Sequence, residues 1–188
     1  MDQLKRLLVL SLFLLGGAAS ASAAAESEIQ VTVERRGDAF VADSSFALAV
    51  PLQTAWEVFT DFDHMTGIMS NLNASRISQR NGNTLQVQQE GVARYGLFSF
   101  AFTSEREIRL LPMKKIISRQ LSGNAKQFDS EMELSREGSG TRVRYHAEMA
   151  LDSFIARTFG GSFIEHEIAE QFAAMAAEMT RRKAQSLH

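Results

Sequence analysis

The residues equipped to do chemistry are few and scattered. His166-Glu167-x-x-Glu170 sets a histidine and carboxylates about one helical turn apart, but a zinc-protease helix needs a second histidine where Glu170 stands. His64 follows closely on Asp61 and Asp63, a grouping that suits either a proton-transfer site at a pocket mouth or a solvated helix end. Arg106 falls inside a strand-like run. Its planar fork of donors suits a carbonyl or phosphate oxygen if it points inward; at a strand rim it would only pair with Glu105 or Glu107. The chain has no GxSxG motif, no Walker loop and no GxGxxG ahead of a helix. It also has no cysteine, so thiol nucleophiles, CxxC redox chemistry and Cys-ligated zinc are excluded. No catalytic residue, metal ligand or cofactor is assigned.

Composition narrows the class. The chain has 188 residues, 45% hydrophobic and 22% charged, with a formal net charge of -2. That suits one globular domain with a real core. Without a basic block it offers no surface for nucleic acid. Lys5 and Arg6 precede an apolar run from Leu7 to Leu15, then Gly16-Gly17 and the small residues Ala18 to Ala25. This is the layout of a secretory signal peptide over residues 1–23, cleaved at Ala21-Ser22-Ala23 or at the overlapping Ala19-Ser20-Ala21 or Ala23-Ala24-Ala25. The run is shorter than the roughly 20 apolar residues a spanning helix needs. A single periplasmic domain over residues 24–188 is the expectation.

The chemistry-bearing residues need elements to hold them, and the longest is at the end. After Gly160-Gly161, apolar residues at Ile164, Ile168, Phe172, Met175 and Met179 form one stripe of a helix over residues 162–183, with His166, Glu170 and Ala173 opposite. Glu165, Glu167 and Glu170 lie early and Arg181, Arg182 and Lys183 late, matching the helix dipole. Residues 28–34 and 39–50 alternate as two strands. Pro51 then starts a short helix with Leu52, Ala55, Trp56 and Phe59 on one face, and Asp61 caps a second that carries Phe62, Met65, Ile68, Met69 and Leu72.

From Ser75 to Asp152 the pattern predicts five strands in an antiparallel meander, turning at Asn81-Gly82-Asn83, Tyr95-Gly96, Leu111-Pro112, Ser122-Gly123-Asn124 and Arg136 to Gly140. Charge complementarity suggests Glu133 opposite Arg142, Glu131 opposite Arg144 and Asp129 opposite His146. The same parity argument sets Ala93 against Phe98, Gly91 against Phe100 and Gln89 against Phe102. Large rings then face small residues, leaving space for a ligand or for the long helix.

The order of elements, and Val50-Pro51-Leu52-Gln53-Thr54-Ala55-Trp56-Glu57-Val58-Phe59-Thr60-Asp61-Phe62 in particular, resembles the START-like (SRPBCC) superfamily, in its polyketide cyclase/dehydrase or coenzyme-Q-binding branch. The resemblance covers about Ala39 to Lys183 and implies an α+β helix-grip fold, a curved antiparallel sheet wrapped around the C-terminal helix with two short helices after the first strands. It further implies a cavity for a lipid, isoprenoid quinone or polycyclic compound. Candidate ligand-binding residues are Trp56, Gln89, Phe98, Phe100, Phe102, Arg106, Tyr145, Ile168, Phe172 and Met175. Gln89, Arg106, Ser130 and Tyr145 are the polar residues expected to face inward, with no inward carboxylate. Two readings stay open: a carrier of a hydrophobic small molecule, in transient contact with a membrane, or a cyclase/dehydrase-type enzyme using the same cavity.

Overall fold

The computed structural model describes residues 29–151 and 158–186. The expected signal peptide lies outside the described residues. Eight strands form one antiparallel sheet among them, in the order β1-β2-β8-β7-β6-β5-β4-β3. In chain order these are β1 (Val31–Arg36), β2 (Ala39–Leu48), β3 (Leu72–Asn81), β4 (Thr84–Tyr95), β5 (Phe98–Leu111), β6 (Lys115–Gly123), β7 (Gln127–Glu137) and β8 (Gly140–Ala150). Helix α1 (Leu52–Phe59) and a 3-10 helix (Phe62–Gly67) separate β2 from β3, and the long helix α2 (Gly160–Gln185) follows the sheet. This is the helix-grip fold.

Several local expectations are corrected. The meander has six strands rather than five, because five turns bound six segments. Its first strand starts at Leu72, which pairs with Gly91 and is buried, and does not continue the short helix. The hairpin registers are shifted by two residues: Glu133 faces Arg144 and Glu131 faces His146, while Gly91 faces Phe102 and Ala93 faces Phe100. One cause serves both. Gly96 and Gly138, at φ 58° and 59°, occupy the first position of each two-residue turn rather than the second. A slip of two preserves the pleat, so every side chain stays on its expected face.

The outward charges find other partners than expected. His146 Nδ1 lies 2.8 Å from Asp43 on β2, not against Asp129, and Lys115 of β6 takes both Glu131 and Glu133, at 2.5 and 2.8 Å.

The core lies between the concave face of the sheet and α2. Ile164, Ile168, Phe172, Met175 and Met179 are all buried, as the stripe predicts. Phe172 sits at the centre, its ring 5.0 Å from Phe46, 5.0 Å from Tyr145 and 6.3 Å from Phe59. The far end of α2 is tied down by Arg182, which donates to Asp61 Oδ2 at 2.6 Å, and by Lys183, which donates to the Ala49 carbonyl at 2.6 Å. Asp61 therefore does not cap the 3-10 helix with its side chain; its carboxylate is taken by Arg182 and by His64 at 2.6 Å.

Candidate functional site: a cavity with a polar collar

Because α2 cannot fill the whole concavity, a cavity remains beneath it in two adjoining chambers of about 220 Å³ each. Each alone is below the roughly 300–1,000 Å³ range of small-molecule sites, and together they fall in its lower part. The inner chamber is walled by apolar side chains, among them Phe62, Met65, Ile116, Met132, Phe172 and Met175. The outer chamber is bounded by Phe100, Phe102, Ala93 and the β6–β7 turn at Asn124 and Ala125. Gln89, Arg106, Glu167 and Gln171 line both, forming a polar collar where the chambers meet.

The strand pattern sets Arg106 in this collar. β4 and β5 pair without interruption from Thr84↔Arg109 to Tyr95↔Phe98, so Phe98, Phe100, Phe102, Ser104 and Arg106 share the concave face. The bulge at Glu105/Arg106 lies in the pairing with β6 and places the extra residue, Leu121, on that strand.

A relay orients the guanidinium. Ser75 donates to the Phe62 carbonyl at 2.6 Å and accepts from Gln89 Nε2 at 3.1 Å, which turns Gln89 Oε1 to accept from Arg106 Nη2 at 2.8 Å. Phe128 offers a ring face 5.6 Å from the guanidinium. Arg106 forms no ion pair with a carboxylate among the described residues, and its Nε is buried without a partner. Burial pushes its pKa below the ordinary value, a neighbouring Tyr145 acting the other way. Its cationic form persists nonetheless.

The other polar wall groups repeat this incompleteness. The buried side-chain atoms without a partner among the described residues are Asn71 Oδ1, Ser104 Oγ, Arg106 Nε and Ser118 Oγ. All four residues line one chamber or the other. Buried polar groups are normally paired, since leaving one unpaired costs about 1–3 kcal/mol. Tyr145 is supported by a hydrogen bond with Ser130, and burial raises its pKa, against the influence of Arg106.

Glu167 corrects the expectation that no carboxylate faces inward. It is buried, lines both chambers and accepts from Asn71 Nδ2 at 3.3 Å. Burial raises its pKa, with Glu170 adding to the rise and Asn71 opposing it. Read with the other early acids it looked like a partner of the helix dipole. The missed signal is Phe163 and Gln171, four residues to either side, which mark a second inward row beside the Ile164–Ile168–Phe172 stripe.

The remaining candidates divide. Gln89, Phe100, Phe102, Arg106, Tyr145, Ile168, Phe172 and Met175 line the cavity. Trp56 is partly buried against the core on α1 and is not among the lining residues described. Phe98 is 55% exposed beyond the outer chamber, against Phe159. The space opposite the phenylalanines is largely taken by the rings themselves: a Cβ at Gly91 would lie 2.7 Å from the Phe102 ring and 2.2 Å from the Asn71 carbonyl. His64 is exposed, and hydrogen bonding to Asp61 raises its pKa. His166 lies 3.6 Å from Glu170 and edge-on to Tyr95. No group of three metal-ligating residues occurs among the described residues.

Comparison with known proteins agrees with this geometry. The family model for polyketide cyclases/dehydrases and lipid transport matches residues 48–176. The Zhui aromatase/cyclase from Streptomyces sp. R1128 shares the fold at a TM-score of 0.67 and 16% identity, over 77% of this chain and 95% of its own. A START superfamily protein from Mycobacterium smegmatis aligns at a TM-score of 0.59 and 10% identity, over 79% of this chain and 99% of its own. A STAR-related lipid transfer protein from Xanthomonas axonopodis aligns at 0.60 and 10%, over 82% and 94%. No protein of curated function matches in sequence. With a family model spanning most of the described fold, the chain belongs to the polyketide cyclase/dehydrase and lipid transport family, and it shares its helix-grip fold with START proteins.

Proposed function

We propose that the protein is a periplasmic carrier of an amphiphilic small molecule, a lipid, isoprenoid quinone or polycyclic compound, whose apolar body fills the inner chamber and whose polar oxygen meets Arg106. The observation that carries this reading is the unpartnered Arg106 Nε on the wall shared by both chambers. A half-buried cation whose buried Nε donor is idle is costly in an empty protein and is compensated by an oxygen-bearing guest. The signal-like residues 1–23 support export, and a hydrophobic cargo gives the reason for transient contact with a membrane. Native mass spectrometry of the protein purified from the periplasm tests the reading. A stoichiometric apolar adduct is expected, with an N-terminus between Ser22 and Glu26. Retention of Met1 in a membrane fraction, or protein purified without any adduct, would overturn it.

A second reading rests on Glu167. A carboxyl whose pKa is raised by burial, in a chamber that also holds Tyr145 and Arg106, suits proton transfer in a cyclase/dehydrase-type reaction. Single-turnover assays with polyketide-like substrates would favour it if Glu167→Gln abolished turnover while leaving binding intact.

A further inference from the structure

The β4–β5 hairpin outgrows the sheet. β3 accompanies β4 only as far as the Leu72↔Gly91 pair, and β6 accompanies β5 only from Ser104 onward. Beyond these points, Val92 to Thr103 have only each other as strand partners, with Val92 still donating to the Asn71 carbonyl and Thr103 bonded to Asn124 at the ribbon's base. A two-stranded ribbon has little stability of its own, and this one is braced by α2. Tyr95 and Phe100 meet the rings of Phe159 and Phe163 at 5.1 to 5.9 Å, and Phe98 meets Phe159 at 5.0 Å. At its end Leu97 is 100% exposed and Phe98 55% exposed.

Charge within the finger itself is cationic. The chain carries 22 acidic residues, yet none falls between Glu90 and Glu105, where the single charge is Arg94. The neighbouring β6–β7 turn, joined to β5 by the Thr103 N–H donating to Asn124 Oδ1 at 2.5 Å, holds Lys126 and no acid. On α2, the exposed carboxylates near the bracing rings are Glu165 and Glu170, the latter paired with His166, which lies against Tyr95.

We propose that this hairpin is a membrane-docking finger, inserting Leu97 and Phe98 into a bilayer whose anionic headgroups engage Arg94 and Lys126. Apolar tips flanked by cations are what an anionic interface selects. A second copy of the chain is a poorer occupant, because two side chains fall far short of the roughly 800 Å² per partner of a stable interface. The finger also leads inward: Phe98 touches Phe159, Phe159 touches Phe100, and Phe100 lines the outer chamber. An apolar guest leaving the bilayer would meet rings all the way to the cavity. The inference rests on the carrier reading only for the reason to visit a membrane.

The test is flotation of the full mature chain with phosphatidylcholine vesicles, with and without phosphatidylglycerol. Binding to the mixed vesicles is expected, and Leu97→Glu should weaken it about tenfold or more, since it removes an inserted apolar side chain. Arg94→Gln and Lys126→Gln should each weaken it roughly fivefold and lower its salt sensitivity. Leu111→Glu, at the opposite end of β5 and 39% exposed, should leave it unchanged. Absence of flotation by the wild type, or equal flotation of Leu97→Glu, overturns the proposal. So does a dimer in analytical ultracentrifugation that Leu97→Glu dissociates, which would make a second copy the occupant. Native mass spectra of the same samples report cargo separately, so loss of docking with cargo retained is distinguishable from failure of the carrier reading.

Discussion

Arg182 Nη2 lies 2.6 Å from Asp61 Oδ2, joining the last turn of α2 to the residue that opens the 3-10 helix. Arg182 also donates to Glu178, and Arg181 pairs with the same Glu178, so these cations have structural partners. Burial works against the Asp61 charge, but hydrogen bonds from His64 and Arg182 outweigh it and hold the carboxyl below its ordinary pKa. A depressed folded-state pKa contributes stability above the unfolded value that is lost as pH falls through the folded value. Asp61→Asn should therefore cost about 1–2 kcal/mol at neutral pH. In urea melts the difference from wild type should shrink below the ordinary carboxylate range.

Glu167 has the opposite sign. Its folded pKa is raised, so protonation favours the folded state and that advantage is lost as pH climbs from the unfolded value through the folded one. Glu167→Gln should stabilise the domain by about 1 kcal/mol at neutral pH and make little difference in acid. Paired melts at neutral and acidic pH check this; a variant less stable than wild type at neutral pH would show that the carboxylate is compensated.

Phe172 and Glu170 are two residues apart on α2 and face opposite ways. Phe172 is 4% exposed within a cluster of rings, whereas the Glu170 side chain is 66% exposed. Phe172→Asp should cost more than the about 3–5 kcal/mol typical of Phe→Ala and unfold the domain. Glu170→Ala should stay within about 0.5 kcal/mol. Equal denaturation midpoints would refute the assignment of faces.

Arg106→Leu separates the anchor from the container. The substitution removes a cation that has no carboxylate partner, so thermal stability should hold or rise. Cargo in native mass spectra should fall at least tenfold, as expected for a lost charge-assisted hydrogen bond. Full occupancy would mean that the guest is selected by shape alone.

The inner and outer faces of β4, β5, β7 and β8 were legible in the sequence, because alternation at a period of two survives a register error of two. Pairing itself was less legible: the place of Gly96 or Gly138 within its turn depends on which residue takes positive φ, and the surrounding residues do not mark it. On α2 the Ile164–Ile168–Phe172 stripe was plain, whereas Glu167 was hidden by a second valid explanation for an acid near a helix start. Charge pairs were legible only in kind, since Lys115 and Asp43 arrive from strands outside the hairpin considered.

The closure of β2 on β8 joins Phe40 to Met149, and α2 covers the concave face. Contacts so distant in sequence form late and slowly. The helix that roofs the cavity follows every strand of the sheet, so a chain lacking it exposes Phe46, Val143 and Tyr145 with nothing to cover them. Premature folding would yield an open, sticky sheet, and a chain truncated before Gly160 should aggregate rather than fold. Closure of the domain therefore waits on α2, the element that supplies the other half of the core.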